Sequence, residues 1–153
     1  MLHIKLEGIP ISSNHAYFTL RGGGRSLTKE GLKYKTETTS FIARNYPQAL
    51  KYFVPDRPYT MVFQLTVTNE TMFSKSYGKK GGAKNLFRKF DVSNRVKLLE
   101  DAITDATSID DSCATTVLVR KVVGTKERTD VLVWRTDVAH DPFSAIIDSM
   151  VGT

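Results

Sequence analysis

Five charged residues between positions 91 and 111 have the types and spacing that phosphate chemistry uses. Asp91 opens the stretch DVSNRVKLLEDAI, Lys97 and Asp101 follow four residues apart, and Asp110 and Asp111 come as a pair. Carboxylates gathered in one place repel each other, and a divalent cation resolves the repulsion. Magnesium prefers oxygen ligands and keeps waters that a phosphate can replace. Such an ion activates a water and stabilises the charge of a phosphodiester under attack. A lysine beside it neutralises the same developing charge. For this to work, the fold must bring Asp91, Lys97 and the Asp110-Asp111 pair to one end of the sheet.

The intervening residues predict how. With about 100° per residue from Ser93, Val96, Leu99, Ala102, Ile103 and Ala106 share one side of a helix. Asn94, Lys97, Asp101 and Thr104 share the other, with Lys97 and Asp101 as neighbours one turn apart. Ser93 reads as the cap. Asp91 stands just before the start, where unpaired N–H groups favour an anion. Periodicity alone favours an ordinary surface helix with a weak Lys–Asp pair. The pair Asp110-Asp111, sitting between this helix and a strand, is what tips the balance toward a site.

The other elements follow from the same patterns. LHIKL, residues 2–6, alternates as a strand does. The turn-rich stretch from Gly8 to Ser26 reads as irregular. Thr28 caps a helix over 29–45, with Leu32, Phe41 and Ile42 on its apolar side and Pro47 stopping it. YTMVFQLTVT, from Tyr59, is the strongest strand. The glycine-bearing segment at about 70–89 reads as a mobile basic loop. Residues 114–124 and 130–135 read as strands joined by the polar turn TKERT, and FSAIIDSM at 143–150 as a short terminal helix. This order predicts an α+β fold: one small mixed sheet with two main helices packed on it, in a single domain over 1–153.

Composition narrows the function. An apolar content of 41% and a charged content of 25% are ordinary for a globular chain. No signal pattern or long apolar run is present, so the chain reads as cytoplasmic with no membrane partner. Cys113 and the scattered His3, His15 and His140 make no zinc pattern. The net charge of +6 is concentrated: residues 74–97 hold Lys75, Lys79, Lys80, Lys84, Arg88, Lys89, Arg95 and Lys97 against Asp91 alone. That favours a phosphate-bearing partner over a merely solvated loop, and Tyr77 and Phe87 could stack on bases. Asn14, His15, Tyr17 and Arg21 are further candidate DNA contacts. Gly78-Lys79-Lys80-Gly81 matches the GxxG of KH domains but lacks the flanking helices. Gly22-Gly23-Gly24 lacks the Gly-Lys-Ser/Thr of a P-loop. An acid cluster beside a basic loop favours a metal-dependent nuclease over a plain binding module.

The order D-x-x-N-x-x-K-x-x-x-D, then D-D, is carried here by Asp91, Asn94, Lys97, Asp101 and Asp110-Asp111. It resembles the RusA family of Holliday junction resolvases. IPISSNHAY resembles that family's early segment, and SLTKEGLKYK the start of its first helix; together the match spans roughly residues 4–135. The resemblance implies a small homodimer that binds four-way DNA junctions and nicks two strands symmetrically, with Mg²⁺ (Mn²⁺ as a substitute) held by aspartates. It implies Asp91 and Asp111 as catalytic metal ligands, Asp110 as an assisting one, and Lys97 as the catalytic lysine at the scissile phosphate. Asn94 and the basic residues Lys75, Lys79, Lys80, Lys84, Arg88 and Lys89 would meet DNA. Members of the family carry a second aspartate where this chain has Ser93. Either the site binds its metal with Asp91, Asp111 and waters, with Asp110 or Asp101 as a substitute, or the protein binds branched or single-stranded DNA without cutting it.

Overall fold

A computed structural model describes residues 1–88, 90–137 and 149–151. In chain order the elements are β1 (Leu2–Glu7), α1 (Ser13–Ala16), β2 (Tyr17–Thr19), β3 (Arg25–Leu27), α2 (Lys29–Asn45), α3 (Pro47–Tyr52), β4 (Tyr59–Val67), α4 (Asn69–Met72), α5 (Ser93–Thr107), β5 (Ala114–Val123) and β6 (Arg128–Arg135), with a 3₁₀ turn over Asp111–Cys113. The architecture is the expected α+β arrangement, with a mixed four-stranded sheet and two long helices.

β4 lies inside the sheet, whose order is β1-β6-β4-β5. Every β4 residue except Gln64 is buried, which is why it reads as a nearly continuous apolar run. β1 pairs antiparallel with β6, and β6 with β4, whereas β5 runs parallel to β4. Parallel neighbours cannot be joined by a hairpin, so the chain crosses over between them through α5. The two strands flanking TKERT therefore do not pair with each other; β4 lies between them. The turn between them is seated on the end of β4 by a bond from Gly124 N to the Val67 carbonyl (2.8 Å). Tyr59, Met61 and Phe63 of β4 form the core with Ile4, Val131 and Val133 under the helices.

α5 buries Val96, Leu99, Ala102, Ile103 and Ala106, the stripe its spacing predicts, and Leu98 as well. α2 departs from expectation. Ile42 is buried, but Leu32 and Phe41 are 56% and 40% exposed, and Gly31 and Thr38 face inward in their place. The cause is close approach. A Cβ at Gly31 would lie 2.4 Å from the Ala16 carbonyl oxygen, and Thr39 Oγ1 donates to the Ala102 carbonyl of α5 (3.2 Å). Small and hydroxylated residues thus take the crowded face, and the bulky ones turn outward. Thr28 caps α2 as expected, accepting from Gly31 N (3.0 Å). Pro47 does more than stop α2: it occupies the first turn of α3, where its missing N–H costs nothing.

The stretch from Gly8 to Ser26 is not irregular throughout. It holds the single-turn α1 and the β2–β3 hairpin, pairing Tyr17 with Leu27 and Thr19 with Arg25. In the basic segment, Ser74 N donates to the Leu86 carbonyl (2.8 Å) and Arg88 N to that of Met72 (3.0 Å). The Phe73 and Phe87 rings pack 5.3 Å apart. These contacts tie the two ends of the segment together and leave its lysines on the turns between. The expected terminal helix lies outside the described residues except for Ser149 and Met150. No helix among the described residues is long and apolar enough to cross a membrane.

Candidate active site

α5 begins at Ser93, so the cap position falls on Val92, which has no side-chain acceptor. The cap expected at Ser93 comes instead from Asp91. Its Oδ1 accepts from Ser93 N (3.0 Å) and from Ser93 Oγ (2.6 Å). Its Oδ2 accepts from Asn94 Nδ2 (2.8 Å), and Asn94 Oδ1 accepts in turn from Ser13 Oγ (3.2 Å). The Ser93 hydroxyl, the Asn94 and Ser93 N–H groups and the nearby Lys121 charge hold the Asp91 carboxyl below its ordinary range. Asp91 is therefore ionised, exposed and fixed in orientation. It shares a cleft of about 610 Å³ with Asn14, His15, Phe90, Asn94 and Arg95.

Two basic side chains meet Phe90 in the lining of this cleft. Lys121 Nζ, from β5, donates to the Phe90 carbonyl (3.3 Å) and lies 5.5 Å from the Phe90 ring centre. Arg95 stacks over the same ring at 4.6 Å and donates to the Pro10 carbonyl (2.8 Å). Arg95 thus anchors the segment before α1, and is less free than its place in a run of basic residues suggests.

Farther along α5, Lys97 gathers three acids. Its Nζ lies 2.8 Å from Asp111 Oδ2, 3.2 Å from Asp101 Oδ1 and 3.7 Å from Glu100 Oε2. The Asp111 bond, then the Asp101 and Glu100 charges, raise the Lys97 pKa, so the ammonium persists at any ordinary pH. Glu100 has its carboxyl pKa raised, chiefly because burial strips it of water and next because Asp111 and Asp101 repel its charge. Tyr17 OH donates to Asp101 Oδ2 (2.8 Å).

The structure separates the aspartate pair. Asp111 reaches Lys97, whereas Asp110 Oδ1 caps its own 3₁₀ turn by accepting from Ser112 N (2.8 Å). Arg21 lies exposed at the tip of the β2–β3 hairpin, away from the cleft lining. Lys75 and Arg88 both bind Glu70, through its carboxylate and its carbonyl. Lys79, Lys80 and Lys84 are exposed. Lys89 lies outside the described residues.

The donors here are hard oxygens, and Asp91 retains its charge. That chemistry suits a divalent cation that keeps most of its waters and takes one or two carboxylates. Among the described residues, no group of three or more His, Cys, Asp or Glu residues could hold a metal by itself. A site built here therefore relies on few protein ligands, in keeping with the serine at position 93.

Two neighbours of these groups, Glu100 and Lys121, were not singled out by the sequence, and a third, Tyr17, was expected in another role. Glu100 stands three residues after Lys97, a helical spacing that could have found it. Tyr17 was visible only as a candidate DNA contact, and its bond to Asp101 spans 84 residues. Lys121 sits in a strand with no motif around it, and only the parallel placement of β5 beside β4 brings it to Phe90.

No curated protein matches this chain. A family model described as endodeoxyribonuclease RusA matches residues 7–133. That match runs from the last residue of β1 through most of β6 and takes in Asp91, α5 with its Lys97 and Asp101, and the Asp110-Asp111 turn, and the chain belongs to the RusA endodeoxyribonuclease family.

Proposed function

We propose that this protein is a divalent-cation-dependent endodeoxyribonuclease that nicks four-way junctions and other branched DNA as a homodimer. The observation that carries the reading is the pairing of Lys97 with Asp111 and Asp101 on the helix that Asp91 caps. Asp91 and Asp111 would hold Mg²⁺, or Mn²⁺ in its place. A bound ion supplies an activated water and charge neutralisation at the phosphate. The chain's own residues do the rest. Asn94 orients the Asp91 carboxylate. Lys97, permanently charged, faces the negative charge that builds on the phosphate. Asn14, His15, Arg21 and the basic segment 74–88 position the DNA backbone, which fixes register without reading bases.

A second reading is favoured by one residue. Ser93 supplies a hydroxyl where a further carboxylate would complete a metal site, as expected of a junction-binding protein that does not cut. A magnesium titration on one four-way junction separates the two. The nuclease nicks only with the cation, and spares linear duplex; the binder retards the junction in a gel and leaves it whole. Ser93→Asp sharpens the test. The added carboxylate should lower the Mg²⁺ concentration for half-maximal nicking by roughly tenfold, as changes around a metal site commonly do. Without added cation it removes the Ser93 Oγ bond to Asp91 and places a like charge beside it, which raises the Asp91 pKa. A wild type that never nicks, rescued by this change, would establish the binding reading.

The basic segment makes its own prediction. Replacing Lys79, Lys80 and Lys84 with alanine should weaken binding to every DNA form. The slope of log affinity against log salt should flatten by roughly 0.9 per lost phosphate contact on duplex DNA. An unchanged slope would show that these lysines are only solvated surface.

A further inference from the structure

We propose that Tyr17 is a positioning residue of this site: its hydroxyl fixes Asp101, and Asp101 fixes the Lys97 ammonium. The proposal rests on the nuclease reading above and adds to it a residue from outside α5 and the acid pair.

The geometry is a relay. Tyr17 OH donates to Asp101 Oδ2 (2.8 Å), while Asp101 Oδ1 lies 3.2 Å from Lys97 Nζ. Each carboxylate oxygen has a different partner, so Asp101 is held from both sides. Lys97 is long, flexible and half exposed, and fixing its rotamers costs entropy. With Asp101 free to swing, only Asp111 would grip it closely. A lysine fixed before the substrate arrives needs no reordering as the reaction proceeds. The Tyr17 phenol, pushed up to about 12 by burial and then by Asp101, stays a donor across neutral pH.

The base of the relay is itself immobilised. Tyr17 N donates to the Ser13 carbonyl. The preceding Ala16 carbonyl accepts from Thr28 N (2.8 Å), and the His15 carbonyl accepts from Thr28 Oγ1 (2.9 Å). Gly31 leaves no room between α2 and Ala16. The start of α2 thus clamps residues 15–17, and Tyr17 transmits that rigidity to α5. Ser13, in the same segment, braces Asn94 and through it Asp91.

Tyr17→Phe keeps the ring and removes the hydroxyl. It is compared with Asp101→Asn and with the double variant in three measurements: single-turnover nicking at saturating DNA and Mg²⁺, junction affinity, and reductive methylation of Lys97 read by peptide mass spectrometry. Tyr17→Phe should slow nicking roughly tenfold, the order expected for a lost hydrogen bond to a charged group. Affinity should stay near wild type, the thermal midpoint should fall by no more than a few degrees, and Lys97 should methylate several-fold faster. In the Asp101→Asn background the same change should add nothing, because the relay is already cut. Wild-type nicking and methylation in Tyr17→Phe would overturn the proposal, as would an undiminished effect in the Asp101→Asn background. A wild type that does not nick would overturn the nuclease reading instead, and the methylation rates would still decide whether Tyr17 holds Lys97.

Discussion

Asp91→Asn should abolish nicking and leave junction binding intact. The change keeps the shape of the side chain and one oxygen acceptor, so Ser93 N and Oγ retain their partner, while Asn94 Nδ2 loses the second oxygen it donates to. Asparagine and aspartate cap helices about equally well, and the thermal midpoint should stay close to wild type. What disappears is a negative charge that the Ser93 hydroxyl and helix-start N–H groups keep ionised. With only Asp91 and Asp111 proposed as ligands, loss of one leaves a hydrated cation poorly held. The expected fall in nicking is at least about 100-fold, because both the activated water and the charge neutralisation depend on the ion. Junction affinity, measured in gel shifts without cutting, rests on phosphates meeting lysines and arginines and should hold within about threefold. Normal cutting by Asp91→Asn would remove the proposed metal site altogether.

Lys97→Met should cost a comparable factor in rate, by a different route. Methionine preserves the apolar stem but not the ammonium proposed to face the phosphate, and loss of one such charge costs roughly 100- to 1,000-fold. This variant also carries a pH signature. In the wild type, Lys97 opposes the effects that raise the Glu100 pKa. Without it, Glu100 is still short of water and still faces Asp111 and Asp101, so its folded pKa rises further above the unfolded value. A carboxyl raised in this way binds more protons folded than unfolded, and the variant loses stability as pH climbs through the carboxylate range. The melting temperature of Lys97→Met should therefore lie near wild type at about pH 4 and fall progressively below it toward pH 7. A constant gap at all pH values would mean that Lys97 does not balance these acids.

The helix that holds the candidate site was legible because its information is local. The period of Val96, Leu99, Ala102, Ile103 and Ala106 assigns the buried face of α5, and a four-residue interval makes Lys97 and Asp101 neighbours in any α-helix. The β-branched and aromatic run from Tyr59 identified β4 for a similar reason. The exposure of Leu32 and Phe41 was not legible, because packing at Gly31 overrides the apolar period of α2. Nor could residue types and spacing choose between Asp110 and Asp111; only the family resemblance singled out Asp111. They are adjacent and chemically identical, and only the turn after α5 sends one to its own cap and the other to Lys97. Tyr17 comes from an element far from α5 in the chain, and Lys121 from the strand that follows it. Their arrival depends on the crossover that sets β5 parallel to β4 and on the clamp that α2 places on α1. Residue types and short spacings determined which groups could do chemistry. Which of them meet was decided by the closing of long loops around the sheet, a contact order that no local period encodes.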